Sequence, residues 1–240
     1  MYDNKIKMTL EDNIFLAKRD LVDSIWKQTN LEGYAVTFPE TATVVDGFSA
    51  SGMSVNSVIT INNLKRAWYF IIDNIEYEPD IRYISQVNKI IGGDQLINRA
   101  GLIRNKNVEI SGTNWIPKIP TLEDIENNLD ILNAMTNDID RALKTMLYLM
   151  RSQLFIDGNK RTAQLIANQI LIQNGRGIVS IPIEIQDKFR NELVYFYETN
   201  KDERILKLLK DKCLKNLDLR RENFIDPGEW IPPKKKGKNR

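Results

Sequence analysis

The chain contains no histidine. Imidazole is therefore unavailable as base, nucleophile or metal ligand, and Ser–His–Asp and Cys–His catalysis are excluded. The one cysteine, Cys213, permits no internal disulfide, and without a Cys/His cluster a structural zinc site has no ligand set. A lone thiol suits a reducing compartment, and a cytoplasmic location is expected. Long hydrophobic runs are missing too. No stretch approaches the roughly 20 apolar residues of a membrane-crossing helix, and residues 1–10 hold no apolar segment of signal-peptide length. Neither sign of charge dominates, since 34 Lys and Arg face 32 Asp and Glu for a net charge of +2. That balance gives no argument for nucleic acid or for a membrane surface as a partner.

What is present is an ordinary globular composition. The 240 residues are 42% hydrophobic and 28% charged, enough to bury a core without disulfide or metal staples. Apolar residues recur at helical spacing almost everywhere, so the expected fold class is all-α, mainly helical, with one short β-hairpin. A helix is expected over about residues 10–30, with Ile14, Leu21, Ile25 and Trp26. Residues 37–52, rich in Thr, Ser, Gly and Pro, read as a turn-rich connection. Helices follow over about 54–75 and 80–91, the second ending at Gly92-Gly93. Val108-Glu109-Ile110, Ser111-Gly112-Thr113-Asn114 and Trp115-Ile116-Pro117 carry the hairpin signature, with a proline-limited second strand. Thr121 should cap a helix to about 135, and another should run from about 137 to 151–153. A helix beginning near Asn159 should stop at Asn174-Gly175, and two more are expected over 185–200 and 201–216. The organisation is thus an N-terminal helical extension (1–57), a main domain (58–200) and a C-terminal helix with a basic tail (201–240), in which residues 234–236 read as a solvated end.

The segment with chemical content joins two of these helices: Phe155-Ile156-Asp157-Gly158-Asn159-Lys160-Arg161-Thr162-Ala163. A glycine in a tight loop lets backbone N–H groups converge, and the loop feeds into a helix N-terminus, which favours an anion. Arg161 can grip phosphate in bidentate fashion and Lys160 adds charge. Asp157 is a hard oxygen ligand of the kind that holds Mg²⁺ against phosphates. Each residue alone could be a turn, a cap or a solvated charge; together they describe a cradle for a polyphosphate with its metal.

This loop resembles the signature of the Fic domain, His-x-Phe-x-Asp/Glu-Gly-Asn-x-Arg, with Gln153 at the histidine position. The hairpin segment Ile110-Ser111-Gly112-Thr113-Asn114-Trp115-Ile116-Pro117 is similar to the family's flap, which clamps a target's backbone by strand addition. The resemblance covers about residues 58–172 well and implies that 58–200 is a Fic domain. It implies transfer of AMP from ATP, with Mg²⁺, to a Ser, Thr or Tyr hydroxyl of a protein target, and leaves room for a homo-oligomer. By the same resemblance Asp157 would bind Mg²⁺, and Gly158, Asn159, Lys160 and Arg161 would bind the nucleotide. Asn159 and Arg161 would act in catalysis beside Gln153, Phe155 would anchor the loop, and Thr113, Asn114 and Trp115 would present the target.

The sequence departs from the pattern in ways that bear on chemistry. A glutamine amide at 153 cannot serve as a general base near neutral pH, and losing that help typically costs about 10²–10⁴-fold in rate. Gln164 stands where many AMP-transferring members carry a second arginine, a feature shared with Doc relatives that transfer a phosphoryl group instead. The family's inhibitory helix, with Ser/Thr-x-x-x-Glu-Gly, has its nearest counterpart in Ala42-Thr43-Val44-Val45-Asp46-Gly47, where Asp46 would be the inhibitory acid or simply part of a turn. Slow AMP transfer, nucleotide or target binding without chemistry, Doc-like phosphoryl transfer and a purely structural or DNA-binding helical protein stay open on the sequence.

Overall fold

The computed structural model describes residues 7–93 and 96–217. Over those residues the chain forms α1 (Leu10–Arg19), α2 (Leu21–Leu31), α3 (Phe38–Val45), α4 (Val55–Asp73), α5 (Ile81–Gly92), α6 (Leu122–Asn133), α7 (Asp138–Ser152), α8 (Asn159–Gln173), α9 (Gln186–Thr199) and α10 (Glu203–Lys212). Two short strands, β1 (Ile178–Val179) and β2 (Leu214–Lys215), pair antiparallel, Ile178 opposite Lys215 and Val179 opposite Leu214. The mainly helical class holds. Among the described residues no helix is long and apolar enough to cross a membrane. The basic tail expected beyond residue 217, including 234–236, lies outside the described residues.

α8 is the central element. It is buried continuously from Arg161 to Ile172 and packs against α1, α4, α5, α7 and β1. A helix covered all round has no face for solvent, so its polar residues must find partners inside. They do. Asn168 donates to the Val179 carbonyl at 3.0 Å and accepts from the Val179 N–H at 2.8 Å, which fixes β1 beside the helix. Gln169 donates to the carbonyls of Asn74 and Tyr77 beyond the end of α4. α7 lies alongside with Ile139, Leu143, Met146, Leu147 and Met150 buried. Cys213 is buried and desolvation pushes its thiol up to about 12, so it is a core atom rather than a nucleophile.

Several expectations change. The helix expected over 10–30 breaks at Asp20, whose backbone leaves the helical region (φ −94°, ψ 13°) and whose carboxylate faces Lys215 at 3.4 Å. An aspartate with a partner off the helix gains little from continuing it. Residues 37–52 were expected as a turn-rich connection, yet they contain α3. Thr37 and Glu40 close a reciprocal capping box with Pro39 in the first turn, and that start signal outweighs the small-residue composition. α10 stops at Lys212 rather than continuing to 216, because 214–215 are taken into the sheet. The hairpin segment turns at Ser111-Gly112 as expected, but its arms form no ladder. Pro117 and Pro120 remove donors from the return arm, and the carbonyls of Pro117 and Lys118 are taken by the Arg104 guanidinium. The two-stranded sheet is the β1–β2 pair.

Candidate functional site

The last residue of α7 is Ser152, and Gln153 then turns the chain in the left-handed region (φ 47°, ψ 61°). For a residue with a Cβ this costs on the order of 1 kcal/mol, so surrounding bonds must hold it. The Gln153 amide nitrogen donates to the Met150 carbonyl at 2.6 Å and its amide oxygen accepts from Asn159 at 2.9 Å, with the Tyr197 hydroxyl nearby. Burial, with the nearby charge of Glu32, raises the Tyr197 phenol well above its ordinary value, so it stays neutral. Residue 153 is thus a braced hydrogen-bonding group.

The loop folds over a buried asparagine. Asn159 accepts from the Phe155 N–H at 3.0 Å and donates to the Phe155 carbonyl at 2.9 Å, while Phe155 is almost fully buried. This braces the turn and leaves Asn159's side chain engaged within the loop. Gly158 sits at φ 78°, and a Cβ there would stand 2.9 Å from Asn88 Nδ2. Asn88, on α5, donates to the Asp157 carbonyl and to Thr162 Oγ1. The glycine is required by both the backbone sign and this close approach. No side chain caps α8 at Gly158, so its first-turn N–H groups are left for an acceptor from outside.

Asp157 is exposed, with one carboxylate oxygen accepting from the Gly158 N–H. Among the described residues no group of three or more His, Cys, Asp or Glu could enclose a metal. The donor set fits Mg²⁺ delivered with phosphates, which needs one carboxylate and completes its shell with phosphate and water. Arg161 is 4% exposed and reaches Asp157 at 3.5 Å. Gln164, in place of a second cation, is buried and donates back to the Lys160 carbonyl.

Among the described residues, the acid that reaches this cradle from outside the loop is Glu32, at the C-cap of α2. Its carboxylate lies 3.4 Å from Arg161 Nε and 3.6 Å from Lys160 Nζ. Neither Arg161 Nε nor Glu32 Oε1 has a hydrogen-bond partner, so both are buried polar atoms with capacity unused. Asp46, the acid suggested by sequence, caps α3 instead and makes no ion pair among the described residues. The signal for Glu32 was legible: Gln28-x-x-x-Glu32-Gly33 departs from Ser/Thr-x-x-x-Glu-Gly only in its first residue. Gln28 is buried and accepts from the Trp68 indole at 3.0 Å.

The flap residues gather beside α7 and α9. Trp115 lies over the Arg151 guanidinium at 3.7 Å, Thr113 Oγ1 donates to Glu198 at 2.9 Å, and Asn114 is exposed. The structure therefore brings together Gln153, Asp157, Gly158, Asn159, Lys160 and Arg161, with Thr113 and Trp115 on the neighbouring α7–α9 surface. Glu32, Asn88, Arg104 and Tyr197 were missed, because each reaches the loop from a distant part of the chain.

Comparison with known proteins agrees with this geometry. Residues 79–171 match the Fic/DOC family model. The protein adenylyltransferase fic-1 of Caenorhabditis briggsae is 24% identical over 69% of this chain, which spans about a third (34%) of that relative's length. Fic-1 from C. elegans superposes with a TM-score of 0.70 at 19% identity, covering 87% of this chain and 64% of that one. A Fic domain-containing signalling protein from Bacteroides thetaiotaomicron gives 0.69 at 16% identity, covering 85% and 86%. The helical frame, the Phe155–Arg161 loop and these matches together support a Fic/DOC domain over residues 79–171.

Proposed function

We propose that this protein binds Mg-ATP at the α7–α8 loop and is a Fic-family AMP-transferase acting slowly on a hydroxyl of a protein target. The observation that carries this reading is the intact cradle: the uncapped start of α8, Gly158 at positive φ, exposed Asp157, and Arg161 and Lys160 together. Mg²⁺ held by Asp157 would supply charge neutralisation on the phosphates. Arg161 would stabilise charge on the β-phosphate as the α–β bridging P–O bond breaks and pyrophosphate departs with the electron pair. The hydroxyl oxygen forms the new bond to the α-phosphorus, and its proton must leave to water, since Gln153 offers no basic atom. Positioning and electrostatics survive loss of the base, which supports slow rather than absent transfer.

Glu32 bears on the same step. Its carboxylate occupies the Arg161 and Lys160 cations, so a polyphosphate must displace it to bind. A second reading, nucleotide or target binding without chemistry, is favoured by the engagement of the Gln153 side chain with Met150 and Asn159.

The test is incubation with Mg²⁺ and ATP labelled at the α- or the γ-phosphate, with and without cell lysate. Protein label from the α-phosphate supports AMP transfer. Label from the γ-phosphate alone replaces it with Doc-like phosphoryl transfer. Binding of Mg-ATP with no label leaves the second reading, and no binding sinks both.

A further inference from the structure

Arg104 is 2% exposed, and its side chain hydrogen bonds only backbone carbonyls. Nε donates to the Gln153 carbonyl at 2.5 Å, and Nη2 reaches the Ser152 carbonyl at 3.3 Å. Nη2 also donates to Pro117 at 3.2 Å and to Lys118, and Nη1 donates to Lys106 at 2.7 Å. The backbone N–H of Arg104 donates to the Leu154 carbonyl at 3.0 Å. One planar donor fork thus holds both arms of the flap segment, at 106 and at 117–118, and the end of α7 where residue 153 begins the loop.

A buried cation with no carboxylate on it needs a reason to be there. Its fork meets the carbonyls at the C-terminal end of α7, which carry the negative end of the helix dipole. It also satisfies carbonyls of the proline-containing return arm that no ladder takes. The same strip of chain touches the loop a second time. The Gly101 N–H donates to Asn88 Oδ1 at 2.8 Å, and Asn88 Nδ2 donates to the Asp157 carbonyl at 3.0 Å. Residues 101–104 are therefore laced to the loop at Leu154 and Gln153 through Arg104, and at Asp157 through Asn88, just before the chain enters the flap.

We propose that Arg104 is a positioning residue that couples the target-presenting segment 106–118 to the loop carrying residue 153, so that ordering one orders the other. A lysine could keep the charge and one side of these bonds but could not span both, since it lacks the planar fork. The coupling is a property of the protein itself; only its use in presenting a hydroxyl to the nucleotide rests on the AMP-transfer reading.

The experiment is amide hydrogen exchange by mass spectrometry on the full chain, comparing the unaltered protein with Arg104→Lys and Arg104→Met. In the unaltered protein, saturating Mg-ATP should slow exchange at 157–161 and also at 106–118. In Arg104→Lys the protection at 157–161 should persist while that at 106–118 is lost. Without nucleotide, both variants should exchange roughly tenfold faster at 106–118 and at 150–155 together, as expected for loss of charge-assisted hydrogen bonds, with α4 and α10 unchanged. Loosening of only one segment, or of the whole chain in both variants, would overturn the proposal. So would protection of 106–118 by Mg-ATP that survives Arg104→Lys. If Mg-ATP protects neither segment in the unaltered protein, the nucleotide reading fails, and the ligand-free comparison still judges the coupling.

Discussion

Glu32 and Arg161 form an ion pair, 3.4 Å from carboxylate oxygen to Nε, with the side chains 10% and 4% exposed. The cation that would meet a polyphosphate in the proposed reading therefore already holds an anion. Removing one partner of a dry pair leaves the other in search of a charge. Glu32→Ala is expected to tighten Mg-ATP on the order of tenfold, about 1.4 kcal/mol, by isothermal titration calorimetry. An unchanged affinity would mean that the carboxylate and the phosphates do not compete.

Gln153→His places an imidazole where the amide now stands, restoring a group that can accept a proton near neutral pH. Label from the α-phosphate of ATP should increase on the order of 10²–10⁴-fold over the unaltered chain. Gln153→Ala should give no such gain. Intact mass should report one added AMP on the labelled species, and equal labelling in all three proteins would remove residue 153 from the chemistry.

Gly158→Ala tests the cradle itself. The backbone is at φ 78°, and the new Cβ would meet Asn88 Nδ2 at 2.9 Å and the Ile97 side chain at 3.0 Å. The positive φ alone costs about 1–2 kcal/mol, so the midpoint of urea unfolding should fall. Mg-ATP binding should weaken by more than the stability loss explains. Full affinity in a folded Gly158→Ala protein would argue that the loop does not cradle phosphate.

Asp23 links α2 to β2. Lys215 Nζ lies 2.6 Å and Lys27 Nζ 2.7 Å from its carboxylate. Burial by itself would raise the carboxyl, but the hydrogen bonds and charges of these ammonium groups together hold it below its ordinary value. A depressed folded value means that the stabilisation is complete above the unfolded value near 3.8 and is lost as pH falls through the lower, folded one. Asp23→Asn should therefore cost about 1 kcal/mol at pH 7 and less at pH 3, measured by urea unfolding at both. A loss that is the same at both pH values would show that the charge is not what holds the strand.

The loop was legible because its information is local. Phe155, Gly158, Asn159 and Arg161 lie within one turn and the start of one helix, and their residue types alone state the backbone sign and the charge. Helices α4, α7 and α8 are legible for a similar reason, since helical periodicity shows in the sequence whatever the partner. α3 is harder to see, because its Thr37–Glu40 capping box opens a helix inside a segment whose small-residue composition otherwise reads as turns.

Sequence by itself determined the helical class, the position and chemistry of the α7–α8 loop, and the absence of an imidazole at Gln153. Only the tertiary structure decided which acid faces Arg161, that residue 153 is braced by Met150 and Asn159, and that Arg104 ties the flap to the loop. Asp46 and Glu32 are both acids followed by glycine, and although Glu32 matches Ser/Thr-x-x-x-Glu-Gly more closely, the motif does not say which acid reaches Arg161. What separates them is the docking of α2 against the core, which carries Glu32 to the start of α8 while Asp46 stays at the end of α3. Pairings of this kind join residues far apart in the chain. They are set by which surfaces bury together, a quantity that no short window of sequence contains.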